Sequence, residues 1–355
     1  MSELLLRELT SADLAWLKQT GLRTTLPAGT VLNAADAGDS FYLLLDGQVS
    51  ISLPQSTNDL VQRAFAVIEG ETADREIIAL ENGDIFGNLP GLVAPLPTAN
   101  VVAKIDSTVL VLPAADLQAH LSMDIGFAGR FYKWVAILLA GRLQRMLQRL
   151  GRRNLAQGKL LRDVWLVFGE FHDSDVEWLM AIGDVRQVKA GEVLIQAGSA
   201  IEYLYLVLDG SLVMLWEDAA VNPLLQAFAV LEGQEAIGKE VAELSQGALL
   251  GVSPFLDSQL ERVSIRSSDG AIVLAVPRRL VLAKLQQDLG FAGRFYRVMG
   301  VVMSYRLQGV CGRLGYGRRV YAGGDEDELD MGAIDRMGLA GRRFELMLDK
   351  LRIRA

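Results

Sequence analysis

Along residues 48–53 apolar and polar side chains alternate, Val49, Ile51 and Leu53 against Gln48, Ser50 and Ser52. That is the period of a half-buried strand. Short apolar runs cut by turn residues surround it, among them GTVLN, SFYLLLDGQVSISL, RAFAVIEG, REIIALENGD and STVLVLP. Asp46-Gly47 and, later, Asp209-Gly210 stand between apolar runs and read as hairpin turns. Short strands at such even spacing predict an antiparallel barrel or jelly roll. A short helix precedes them: TSADLAWLKQTG, capped by Thr10 or Ser11, and again HDSDVEWLMAIG, capped by Asp173 or Ser174. After the strands the period becomes helical. Phe127, Phe131, Trp134, Leu138, Leu143, Met146, Leu147 and Leu150 follow it, as do Phe291, Phe295, Val298 and Val302. Gly151 and Gly315 lie near the expected helix ends, where a left-handed cap favours glycine.

The same order occurs twice because the chain repeats itself. GFAGRFY at 126–132 returns at 290–296, and AFAVIEG at 64–70 returns as AFAVLEG at 227–233. Leu45-Asp46-Gly47 returns as Leu208-Asp209-Gly210, and Trp16-Leu17 as Trp178-Leu179. The offset drifts by single residues, as it does when loops gain a residue and the framework does not. The expected organisation is a first domain over 1–153, a second over 154–320, and a tail over 321–355 with no counterpart. The expected fold is mainly β with α, an α+β pair of tandem jelly-roll barrels, each closed by a long C-terminal helix.

Composition narrows what such a chain does. Of 355 residues 51% are apolar and 22% charged, which suits buried cores and not disorder. The mean hydropathy of +0.25 is high enough to expect apolar surface buried against a partner. A net charge of −8 argues against sequence-independent nucleic-acid binding, which needs a positive surface. A single cysteine, Cys311, excludes an intrachain disulfide and a cysteine zinc cage. His120 and His172 are the only histidines and lack partner ligands at metal spacing, so no metal site is expected. The uncharged stretch from Ile85 to Ala103 carries Pro90, Pro95 and Pro97 and reads as loop and turn, not a membrane span. The start has no basic lead before an apolar run, and a cytoplasmic protein is expected.

Two segments then carry a family resemblance. PAGTVLNAADAGDSFYLLLDGQVSIS, with Gly29 and Gly47 (Gly191 and Gly210 in the second copy), resembles the opening strands of the cyclic nucleotide-binding domain. ENGDIFGN, with Asp84, Phe86 and Gly87, resembles the strand entering that family's phosphate cassette. The resemblance covers roughly residues 8–153 and 170–318. It implies a ligand site in which helix amides face the cyclic phosphate. A glutamate directly after the cassette glycine would accept from the ribose 2′-hydroxyl, and an arginine nine or ten residues later would pair with the phosphate. In copy one Asn88 follows Gly87, and Thr98 stands at the arginine position. In copy two Val252 follows Gly251, and the arginine position falls on Glu261 or Arg262 depending on register. Each charge-assisted hydrogen bond contributes about 1.5–3 kcal/mol. Losing two costs roughly 3–6 kcal/mol, and each ~1.4 kcal/mol is tenfold in affinity. A cyclic nucleotide is therefore disfavoured as ligand, in copy one more than in copy two.

Other features weigh as follows. Arg142, Arg145, Arg149 and Arg152 share a helical face, either a solvated face favoured by the helix dipole or a docking strip for an acidic protein partner or, less favoured, a nucleic acid. Phe127 and Phe131, four residues apart, read as packing against the barrel, and Arg130 and Arg294 as possible ion-pair anchors to it. His120, His172 and Cys311 read as structural. GYGRRVYAGG at 315–324 follows a helix and is a weak nucleotide signal. The tail holds an acidic hinge, AGGDEDE, and then a helix over Leu329–Arg354 broken by glycines 332, 338 and 341, with Leu346 as an interface candidate. It is too short for the winged-helix reader of the Crp-type regulators that the chain also resembles. The tandem layout resembles the regulatory subunits of cyclic-nucleotide-dependent kinases, but Arg152-Arg153-Asn154 sits between the domains and no pseudosubstrate-like segment precedes the first. No catalytic constellation stands out. The expected function is a non-enzymatic regulatory or scaffold protein working through protein partners or self-association. The alternative is a small-molecule sensor with its ligand in the second domain.

Overall fold

The structure, a computed structural model, describes residues 3–32, 39–53, 75–92, 100–152, 164–216, 238–256, 263–311 and 331–353. The repeats of AFAVIEG and the weak glycine-rich segment lie outside these residues, as do Gly315, the acidic hinge and the expected domain junction after Arg152.

The first repeat begins with α1 (Glu3–Glu8) and α2 (Ser11–Thr20). Thr10 caps α2: its hydroxyl accepts from the Asp13 amide, and its own amide donates to the Asp13 carboxylate at 2.8 Å. Eight strands follow: β1 (Leu22–Leu26), β2 (Val31–Leu32), β3 (Ser40–Asp46), β4 (Val49–Leu53), β5 (Arg75–Leu80), β6 (Ile85–Gly87), β7 (Asn100–Ala103) and β8 (Ser107–Pro113). They form two antiparallel four-stranded sheets, β1-β8-β3-β6 and β2-β7-β4-β5, the pairing of a jelly roll. Two helices close it, α3 (Ala114–Met123) and α4 (Ile125–Arg152).

The second repeat has α5 (Val164–Glu170), α6 (Asp173–Ile182), β9 (Asp184–Val188), β10 (Val193–Ile195), β11 (Tyr203–Trp216), β12 (Lys239–Ser245), β13 (Leu249–Leu250), α7 (Ser253–Leu256), β14 (Val263–Pro277), α8 (Arg278–Gln287) and α9 (Leu289–Cys311). Its neighbours are the same, with β11 doing the work of β3 and β4, and β14 that of β7 and β8. The cap of α6 is His172, one residue earlier than the sequence suggests, because its amide donates to the Asp175 carboxylate at 2.9 Å.

Asp46-Gly47 and Asp209-Gly210 are not hairpin turns. β3 pairs with β8 and β6, whereas β4 pairs with β5 and β7, so the chain changes sheet at Gly47. In the second repeat Asp209 and Gly210 lie inside β11, at a register shift. Gly47 has φ +108°, and a Cβ there would sit 2.6 Å from Ser107 Cα. Glycine marks a kinked crossing of two backbones, a use that a turn dipeptide does not reveal.

The described chain divides into two compact units, one running up to Leu138 and the other from Leu139 onward; the division falls within α4. Phe41, Phe127, Phe131 and Trp134 are fully buried in the first, and Phe291 and Phe295 in the second. Gly151 lies within α4, not beyond its end. The tail forms α10 (Met331–Lys350), unbroken through all three glycines. It packs across α5 and against α6, burying Ala340, Phe344, Met347 and Leu348. Tertiary packing of that face overrides the helix cost of each glycine, about 1 kcal/mol. No helix among the described residues is long and apolar enough to cross a membrane.

Candidate functional site

The cassettes are built on the two short strands β6 and β13. In the first repeat β6 ends at Gly87 with φ +82°, where a Cβ would meet Tyr42 Cδ2 at 2.6 Å and the Ser40 carbonyl closer still. The Asn88 amide donates to that carbonyl at 2.8 Å, which fixes the exit from the strand. The Asn88 side chain is exposed, while Leu89, Pro90 and Leu92 turn inward. The Tyr132 hydroxyl of α4 donates to the Pro90 carbonyl at 3.2 Å, tying the cassette to the closing helix.

In the second repeat Gly251 has φ +72°, and a Cβ there would lie 2.6 Å from the Tyr203 carbonyl. Val252 is 4% exposed. Its side chain is a buried isopropyl group that offers no hydrogen bond. α7 follows; Phe255 on it is buried and its ring meets that of Phe295 on α9, centroids 5.5 Å apart. Arg278 donates to the Pro254 carbonyl at 3.3 Å, and Arg306 of α9, 6% exposed, donates to the Leu249 carbonyl of β13. Both repeats therefore keep the turn glycine and the link from cassette to closing helix. Thr98, Glu261 and Arg262 lie outside the described residues.

The ion-pair anchors read at Arg130 and Arg294 are present, but with partners the sequence reading did not name. Arg130 of α4 forms a two-pronged pair with Asp13 at 2.7 and 2.8 Å, and Arg294 of α9 does the same with Asp175 at 2.7 and 2.9 Å. The anchors go to the leading helices α2 and α6, not to the barrels. Burial pushes the Asp13 carboxyl up, but the Arg130 guanidinium and the Thr10 bonds outweigh it and hold the group below its ordinary range, while Asp13 raises Arg130. A second pair runs alongside, Lys133–Glu8 at 2.8 Å and Arg297–Glu170 at 3.2 Å. The signal was present: Thr10-x-x-Asp13 and His172-x-x-Asp175 repeat at the same offset, each ahead of the arginine of GFAGRFY.

The proposed arginine strip is not one surface. Arg145 and Arg149 are exposed, but Arg142 is 4% exposed, and the Arg152 side chain lies outside the described residues. Arg142 occupies in α4 the position that Arg306 occupies in α9, so it belongs to a buried, duplicated set. Leu346 is 53% exposed on α10. His120 stacks on Trp16 with centroids 3.8 Å apart. Burial pushes the Cys311 thiol up to about 12, which leaves it unreactive. Among the described residues no group of His, Cys, Asp or Glu could hold a metal ion. A half-open cavity of about 610 Å³ in the second unit lies against β11, β12 and β14, with Arg266, Glu240 and Glu243 on its wall and, among the described residues, no cassette residue in its lining.

The family model of the cyclic nucleotide-binding domain matches residues 23–124 and 185–288. No curated protein matches the sequence. Among solved structures, the regulatory domain of Toxoplasma gondii PKA, co-crystallised with cAMP, is similar over 82% of this chain and 90% of its own, at 16% identity and a TM-score of 0.27. A regulatory subunit of a cAMP-independent protein kinase A from Trypanosoma brucei is similar over 82% of this chain and 94% of its own, at 16% identity and a TM-score of 0.27. A CooA mutant from Carboxydothermus hydrogenoformans is similar over 43% of this chain and 91% of its own, at 18% identity and a TM-score of 0.31.

Proposed function

Because this chain belongs to the cyclic nucleotide-binding domain family, we propose that it is a non-enzymatic regulatory or scaffold protein whose barrels no longer grip a cyclic nucleotide and which acts through protein contacts or self-association. The observation that carries this reading is Val252, buried and apolar where the family places its ribose acceptor. Asn88, the first-repeat counterpart, turns an uncharged side chain outward. A buried hydroxyl left without an acceptor costs roughly 1–3 kcal/mol, so a ribose seated against Val252 would be penalised as well as unrewarded. The retained links from cassette to closing helix support a structural use of the same parts.

Titration calorimetry with cyclic AMP and cyclic GMP tests it. The expected result is no binding tighter than about 10 μM. Tighter binding that Val252→Glu leaves unchanged and a change at Arg262 removes would replace this reading by that of a sensor with its ligand in the second domain. Sedimentation of the chain recovered from native extract checks the assembly role; recovery only as a lone monomer overturns it.

A further inference from the structure

In the second unit the elbow between α5 and α6 is covered. Arg343 of α10 donates through Nη1 to the main-chain carbonyls of Phe168 at 2.8 Å and Phe171 at 2.7 Å, and through Nε to Asp173 at 2.6 Å. Phe344, beside it, lies on Phe168 with ring centroids 5.4 Å apart, and Phe168 is 1% exposed. Lys350 pairs with Glu177 at 2.9 Å. The capping box explains why those carbonyls accept a guanidinium. The His172 amide, which would otherwise bond back to Phe168, goes to the Asp175 carboxylate. The Asp175 amide, which would bond back to Phe171, goes to the His172 carbonyl. Two carbonyls at a helix C-terminus thus face outward, where a cation is favoured.

The first unit has the same elbow between α1 and α2. The Thr10 amide goes to the Asp13 carboxylate at 2.8 Å and so does not reach back to Leu6, and the Asp13 amide goes to the Thr10 hydroxyl at 3.2 Å and not to Leu9. Leu6 stands where Phe168 stands in the second unit, yet it is 55% exposed. Ser11 and Ala15, both exposed, replace Asp173 and Glu177. This elbow therefore keeps the acceptors and the apolar seat, but has lost the two carboxylates that hold the chain's own tail.

We propose that the α1–α2 elbow is a docking site for an amphipathic helix of another protein. That helix carries one arginine next to a large apolar side chain and no second cation on the docking face. The arginine meets the carbonyls of Leu6 and Leu9, and its neighbour covers Leu6. The inference rests on the reading that the chain works through protein contacts, and it gives those contacts an address and a chemistry.

The probe is a fluorescent synthetic peptide of residues 331–355 with Lys350→Ala, titrated with the full chain and read by anisotropy. The expected result is saturable binding of one peptide per chain. Leu6→Asp in the protein and Arg343→Ala in the peptide should each weaken it about tenfold, the loss of one charge-assisted bond or apolar seat. Ala15→Arg, at a second exposed position, should do the same through repulsion, and Asp173→Ala should change nothing. Absence of binding at about 1 mM, or binding indifferent to Leu6→Asp and Ala15→Arg, overturns the proposal. So does binding that follows Asp173→Ala, since the peptide is then displacing the native tail. Nucleotide binding would sink the scaffold reading without touching this elbow, and a peptide indifferent to Leu6 would sink the elbow with the calorimetry unchanged.

Discussion

The two repeats agree closely where the closing helix is held and disagree where a ligand would be. Asp13–Arg130 and Asp175–Arg294 match to about a tenth of an ångström, and Phe131 and Phe295 are both fully buried. In the cassettes, by contrast, an exposed asparagine faces a buried valine at the same position. A packed ring or a desolvated ion pair is costly to alter one partner at a time, since the other is left in a cavity or unpaired. A pocket residue that no longer meets a ligand carries no such cost. On the proposed function, the difference between the repeats marks which contacts still hold something.

The largest effect expected is on the shared part. Phe131→Ala and Phe295→Ala should each cost about 3–5 kcal/mol, measured by urea denaturation. Phe131 lies among Phe41, Phe127 and Trp134, with centroids 5.7–5.8 Å away. Phe295 has Phe291 at 5.8 Å and Phe255 at 5.5 Å. Equal losses sharpen the comparison. A loss in one repeat only would show that the other barrel has drifted as far as its cassette.

A smaller effect belongs to the anchors. Asp13→Asn should cost about 1.5–3 kcal/mol, the value of a hydrogen bond to a charged group, toward the low end because Arg130 is 35% exposed. The sign with pH follows from the lowered Asp13 carboxyl. Its contribution is complete above the ordinary aspartate value of 3.8 and is lost as pH falls through the lower folded value. Asp288 in the second unit is also held low, chiefly by the Phe291 amide that donates to it. Below pH 3.8 the wild type should lose stability that Asp13→Asn does not have to lose. Acid limbs of the same slope in the two proteins would break the argument.

The architecture was legible because it is written in periodicities. The alternation around Val49, the helical spacing from Phe127 and the 164-residue return of GFAGRFY each survive small changes of sequence. What failed to be legible depends on where two distant segments meet. Asp46-Gly47 has the composition of a hairpin, and only the nearness of Ser107 makes it a crossing between sheets. Arg142 shares a helical face with Arg145 and Arg149, and no periodicity shows that one is buried and two are not. Asp13 was hidden for the same reason, since its partner lies 117 residues away. The exposure of Asn88 and the burial of Val252 likewise could not be read from their place beside a glycine.

The smallest effect falls on α10, which has no counterpart among the described residues of the first repeat. α10 is attached through Arg343, which is 16% exposed, while its partner Asp173 is 79% exposed. An ion pair so open to water contributes about 0–1 kcal/mol, so the carbonyls of Phe168 and Phe171 carry most of the attachment. Arg343→Ala should therefore leave the urea midpoint of the barrels nearly unchanged. It should nonetheless open α10 locally by about 1.4 kcal/mol, which hydrogen exchange reads as tenfold faster exchange across residues 331–350. Asp173→Ala should produce a fraction of that change. If the two variants speed exchange equally, the exposed carboxylate is the true anchor. The loss of Asp173 and Glu177 at Ser11 and Ala15 would then explain by itself why α10 is held at the elbow of the second repeat, and the diverted amides of the capping box would have no part in it.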